Sequence, residues 1–148
     1  MRRLMPVLRV LIAFLFVYSG GTKLLGAPQT FQAVIEGYKI FPPPAAALLA
    51  RTVPWAEFLG GLYLAAGLWS GIALGALWLL NSAFILLVLS ALARGLPIQH
   101  CGCFGEGIDL SLPQVLGLDL ILWVVFLSLF AFRKSAFSAS LDRRFFNR

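Results

Sequence analysis

The chain carries two cysteines, Cys101 and Cys103, and one histidine, His100, all within the stretch "IQHCGCFGEG" (Ile98–Gly107). Two thiols separated by one glycine can form a disulfide that closes a smaller ring than a Cys-x-x-Cys bridge. Its geometry is hard to satisfy, so such a bridge is expected to be strained and easily reduced. Gly102 relieves part of the strain because it has no side chain and a wide choice of backbone angles. Gly105 and Gly107 let the loop bend and let a partner's backbone come close. A structural staple gains most by closing a long loop, and this bridge would close almost none. The pair therefore reads as an exchanging disulfide. Inert small apolar residues, or part of a metal site with His100, are the competing readings. No fourth ligand cluster is evident for structural zinc.

His100 can donate charge or a proton to a neighbouring thiolate, or serve as a polar loop residue. Downstream, "SLPQ" (Ser111–Gln114) reads as a capping box. The helix it opens would point its positive dipole end at the cysteines. Glu106 and Asp109 act in the opposite sense, so the balance on the thiols stays open.

A second set of polar residues lies in apolar surroundings. Lys23 closes one apolar segment, Glu57 lies about one turn into another, and Asp119 lies about two turns into a third. A carboxylate at the centre of a helix in lipid costs on the order of 3 kcal/mol, less near the surface. A Lys23–Glu57 pair would lower that cost and pin two helices together. Asp119 is expected to face the bundle interior as a candidate for proton handling, with Asn81 and Ser82 supplying hydrogen bonds. Tyr18, Trp55, Trp78 and Trp123 read as interface anchors or packing residues.

These residues have to be positioned by apolar elements. Of the 148 residues, 60% are apolar and 12% charged, with a mean hydropathy of +0.90. A soluble domain would carry roughly twice that charged fraction, which selects the membrane class. The expected fold is an all-α membrane protein, a four transmembrane helix bundle. Its spans run from about Met5 to Leu25, Val53 to Trp69, Ile72 to Ala93 and Leu112 to Phe132. "GLWSG" (Gly67–Gly71) is the turn of a tight hairpin between the second and third. Residues 1–132 are expected to form the membrane domain and 133–148 a basic cytoplasmic tail. The opening "MRRLMPVLRVLIAFLFVYSGG" also resembles a signal peptide, but no convincing small-x-small cleavage site follows and it is read as a retained span.

Between the first two spans, Gly26–Thr52 is not shapeless. Phe31, Val34, Ile35 and Tyr38 share one helical face. Pro28 stands near the start, and "FPPP" (Phe41–Pro44) stops the run. A short extracytoplasmic amphipathic helix is expected there, lying in the interface, lidding the bundle, or simply packing on it.

The net charge of +6 does not indicate nucleic acid, because the basic residues sit at chain ends and helix edges. Arg2, Arg3, Arg9, Arg133, Lys134, Arg143, Arg144 and Arg148 fall on one side, and Lys23, Lys39, Arg51 and Arg94 on the other. The positive-inside rule then puts both termini in the cytoplasm and the cysteine loop outside the inner membrane of a bacterium, where disulfides persist.

Three stretches carry a family resemblance: "SGGTKLL" (Ser19–Leu25), "PWAEFLGGLYLAAG" (Pro54–Gly67) and above all "CGCFG" (Cys101–Gly105). Together they resemble the MauE family, within the wider DoxX-like membrane proteins, over nearly the whole chain to about Phe132. The resemblance implies a four-helix membrane bundle. It implies a role in making the disulfide-rich small subunit of methylamine dehydrogenase, alongside a thioredoxin-like partner called MauD. Cys101 and Cys103 would then be the redox pair, and Lys23 and Glu57 the membrane-edge polar pair. The architecture is also similar to that of vitamin K epoxide reductase-like and disulfide-bond-forming membrane proteins, which pass electrons to a quinone. This chain differs in having Cys-x-Cys and no second pair, so electrons cannot cross the bilayer by thiol exchange within it.

The expected function is a membrane thiol–disulfide oxidoreductase. Its redox-active disulfide would exchange with an extracytoplasmic thioredoxin-like protein, with a membrane quinone as the candidate electron acceptor and the direction of flow open. The alternative is a non-catalytic assembly or docking subunit of a maturation or respiratory complex. A small-solute transporter finds little support, since no broken helices stand in paired positions. Gly60, Gly61, Gly67, Gly71 and Gly75 allow close helix packing within or between chains, leaving the oligomeric state open.

Overall fold

The computed structural model describes residues 4–96, 98 and 111–132. Within them the chain is all helical: α1 (Leu4–Leu25), α2 (Pro28–Gly37), α3 (Pro43–Ala66), α4 (Ser70–Ala93) and α5 (Leu112–Ala131). The expectations on His100, Cys101, Cys103 and the tail 133–148 lie outside the described residues.

Helices α1, α4 and α5 are long and apolar enough to cross a membrane. The outward-facing side chains agree: Phe14, Ile72, Leu86 and Ile121 are each at least 64% exposed on the isolated chain. Water would penalise such a surface, whereas hydrocarbon matches it. Helix α3 is as long as α4, but Arg51, Pro54 and Glu57 interrupt its apolar run.

The largest departure from the sequence reading is the start of α3. The apolar pattern places it near Val53, but the helix begins ten residues earlier, at Pro43. Helix α2 has already ended at Gly37, with Lys39 in the left-handed region (φ 52°), so the prolines of "FPPP" open the next helix rather than stop the one before. Pro42 is the N-cap, with φ −67° and ψ 155°. Pro43 and Pro44 occupy the first turn, where the missing N–H has no intrahelical acceptor to serve. The alanines and leucines that follow are strong helix formers. Glu57 therefore lies about four turns into its helix, not one.

Helix α3 ends on Gly67 in the left-handed region (φ 68°). The N–H of Gly67 donates to Leu64 O and that of Leu68 to Tyr63 O, a Schellman closure. Three residues later α4 begins, so the hairpin falls where "GLWSG" was expected. Tyr63 and Trp69 stack across the turn at 6.4 Å.

The main core joins α1, α3, α4 and α5 through Ile12, Phe16, Leu64, Leu74, Leu77, Phe126 and Leu129. Phe16 meets Phe126 edge to face at 5.9 Å. Helix α2 seats Phe31 and Ile35 against Ala46 and Ala50 of α3, which realises the expected amphipathic face. A third cluster lies where α2 ends: Tyr38 and Val34 pack with Val88, Leu96, Ile98, Leu112 and Val115. Leu96, Ile98 and Leu112 are the two stems of the cysteine loop, so both stems are anchored at α2. The Arg94 guanidinium donates to the carbonyls of Tyr38 and Lys39, tying the end of α4 to the end of α2.

Candidate functional site

Helices α1 and α3 approach closely because two glycines face backbone. A Cβ on Gly20 would fall 2.6 Å from Phe58 N, and one on Gly61 would fall 2.8 Å from Ala13 O. This contact sets Lys23, three residues beyond Gly20, beside Glu57, three residues beyond Pro54.

The Lys23 ammonium donates to both carboxylate oxygens of Glu57, each at 2.8 Å. Ser19 donates to Glu57 Oε2 at 3.0 Å and accepts from Lys23 Nζ at 3.1 Å. Both side chains of the ion pair are 1% exposed. Two rings flank the ammonium, Phe31 of α2 at 4.9 Å and Phe84 of α4 at 5.3 Å. Their faces are electron-rich, so they favour the cation while excluding water. Helix α2 thus closes over the ion pair. A buried pair is secure only when its remaining hydrogen-bonding capacity is met, and Ser19 meets part of it.

Next to this triad is a chamber of about 30 Å³, lined by Leu15, Phe16, Ser19, Glu57, Asn81, Phe84, Asp119 and Leu122. Asp119 is 8% exposed and faces inward, as expected of a carboxyl group in a span. The two hydrogen-bond suppliers expected on α4 separate. Ser82 donates to Trp78 O at 2.9 Å and accepts from Trp123 Nε1 at 3.2 Å. Asn81 turns to the chamber with Asp119. Trp78 and Trp123 pack against each other at 6.2 Å, while Trp55 and Tyr18 are exposed by 54% and 41%, as lipid-facing or interface residues would be. Among the described residues no group of three His, Cys, Asp or Glu could hold a metal ion.

The structure therefore brings together Lys23, Glu57 and Asp119 of the sequence-derived candidates and adds Ser19, Phe31 and Phe84. Ser19 was visible in principle, as a small polar residue four positions before Lys23 on the same helical face. The aromatic pair was not, because Phe31 and Phe84 come from helices far apart in sequence. At the loop end of the bundle, α5 opens on Ser111, whose N–H donates to Gln114 Oε1 at 3.0 Å. That is the reach-back half of the expected capping box.

A family model described as methylamine utilisation protein MauE matches residues 1–133. No curated protein and no solved structure matches the chain.

Proposed function

Since the chain belongs to the MauE family, which ties it to methylamine utilisation, we propose that it is the membrane partner in an extracytoplasmic thiol–disulfide exchange that matures a disulfide-containing protein. Cys101 and Cys103 are the exchanging pair. A thioredoxin-like protein of the MauD kind is the visiting partner. The observation that carries this reading is the Cys-Gly-Cys sequence in the loop between α4 and α5, whose stems pack against α2.

In this reading α3 is the fourth span. Its one carboxylate is neutralised by Lys23, which removes most of the penalty that Glu57 would bring to lipid. Residues 1–132 are the membrane domain, 133–148 a cytoplasmic tail, and both termini are cytoplasmic. The Lys23–Glu57 pair and Asp119 lie within the bundle, and His100, adjacent to the cysteines in sequence, tunes the thiols. Four spans put the ends of α1, α2 and α4 on the outer side, together with Lys23, Lys39 and Arg94.

The exchange runs through a mixed disulfide. A partner thiolate attacks one sulfur of the Cys101–Cys103 bridge and breaks the S–S bond. The partner's second thiolate then displaces the mixed disulfide. The partner leaves oxidised, and Cys101 and Cys103 are left as two thiols. Re-forming the bridge releases two electrons and two protons, and a membrane quinone would supply the acceptor, leaving as quinol. Run in reverse, the same steps reduce the partner.

Single variants should arrest the cycle midway. With Cys101→Ser or Cys103→Ser in the full-length membrane protein, one of the two is expected to accumulate a covalent, reductant-sensitive complex with a purified thioredoxin-like partner. Absence of such a complex from both variants, with methylamine-dependent growth preserved in the double Cys→Ser strain, favours the docking-subunit alternative and rejects the exchange.

A further inference from the structure

Asn81 Oδ1 and Asp119 Oδ2 are both buried without a hydrogen-bond partner among the described residues. Asn81 is 2% exposed and Asp119 8%, and both line the chamber of about 30 Å³ beside the ion pair. Leaving such atoms unsatisfied is costly in a protein interior and more so in a membrane. An amide oxygen and a carboxylate oxygen are both acceptors, so whatever satisfies them has to donate. A water molecule needs about 10–15 Å³ of such space, so the chamber has room for one. The guest is therefore small and carries at least two donor hydrogens.

The charges point to what it delivers. Asp119 lies within electrostatic reach of Lys23 from α1 and Glu57 from α3, whose formal charges sum to zero. Helix α4 brings only the neutral Asn81 and Ser82, and α5 has no charged residue besides Asp119 itself. Arg9, on α1, is about 21 Å from Lys23 along the helix. With Asp119 ionised, the cluster carries one uncompensated negative charge, which one proton removes.

We propose that the chamber is a proton-exchange site, in which a single water-sized donor bridges Asn81 Oδ1 and Asp119 Oδ2 and passes a proton to the Asp119 carboxylate. A hydronium ion gives up one proton; water stays in the chamber and Asp119 becomes a neutral carboxylic acid. The reverse step releases the proton, and no electrons move. This site goes beyond the proposed thiol exchange and stands whether or not the cysteines react.

Infrared difference spectra of the full-length protein in lipid nanodiscs, recorded in H₂O and in D₂O while the pH is lowered, test it. A carboxylic-acid carbonyl band is expected to appear on acidification and to be missing in Asp119→Asn. Asp119→Glu, which keeps the acid, should retain the band at a shifted frequency and assigns it if the Asn variant does not fold. Asn81→Leu, which removes the other acceptor, should move the titration midpoint by about tenfold or more in proton concentration. Superimposable spectra for the parent, Asp119→Asn and Asp119→Glu overturn the proton site. A band that keeps its frequency and midpoint in Asn81→Leu overturns the bridging guest.

Discussion

Lys23→Met is expected to destabilise the folded protein by about 3–5 kcal/mol, the range for removing one partner of a buried ion pair. Glu57 is 1% exposed, and its carboxylate would keep only the Ser19 hydroxyl as a donor. The lost methylene packing is small, because Met replaces most of the lysine stem. The cost therefore comes from the carboxylate left behind, and a second substitution should remove it. Lys23→Met with Glu57→Leu is expected to recover most of the loss, since well-packed apolar replacements of buried pairs are often neutral or stabilising. Denaturant titration of helical content in mixed micelles measures both. Equal destabilisation in the single and double variants contradicts a pairing role.

Gly20→Val and Gly61→Val should be at least as damaging, at about 3 kcal/mol or more, the upper end of overpacking costs. Added side-chain carbon at Gly20 meets Phe58 N and Pro54 O, and at Gly61 it meets Ala13 O and Val17 N, all within 3 Å. These are backbone atoms on a facing helix, so relief requires α1 and α3 to move apart. That separation would pull Lys23 from Glu57 as well. Gly75 supplies the control: nothing lies within 4 Å of an added Cβ there. Gly75→Ala is expected to be neutral or to stabilise by up to about 1 kcal/mol through helix propensity. The amount of folded, monodisperse protein recovered after extraction ranks the three.

Much of this arrangement was legible in the residues. The apolar runs located α1, α4 and α5, and "GLWSG" located the turn before α4. The spacing of Phe31, Val34, Ile35 and Tyr38 located α2. Hydropathy missed the first ten residues of α3, because the prolines read as a stop and the face that Ala46 and Ala50 present to α2 is made of small side chains that carry a weak apolar signal. Lys23 and Glu57 could be paired on charge alone, as the acid and base that need each other in lipid. Asn81 was legible as a hydrogen-bonding residue but not as a neighbour of Asp119, which depends on how α4 and α5 rotate against each other. Among the close-packing glycines, the sequence pattern did not separate Gly61, where an added Cβ meets facing backbone, from Gly75, where it meets open space. Gly20 stood in a quoted motif, but its role needed the facing helix to be seen.

Thiol exchange with a soluble partner requires that the partner can reach the sulfurs from outside the cytoplasm. Intact cells expressing the full-length protein, treated first with a reductant and then with a membrane-impermeant maleimide, give the direct measurement. Cys101 and Cys103 are expected to take up label without permeabilisation, and to lose it when the reductant is omitted and the bridge is closed. Label that enters only after the inner membrane is breached, or that is the same with and without reductant, contradicts an exposed exchanging disulfide.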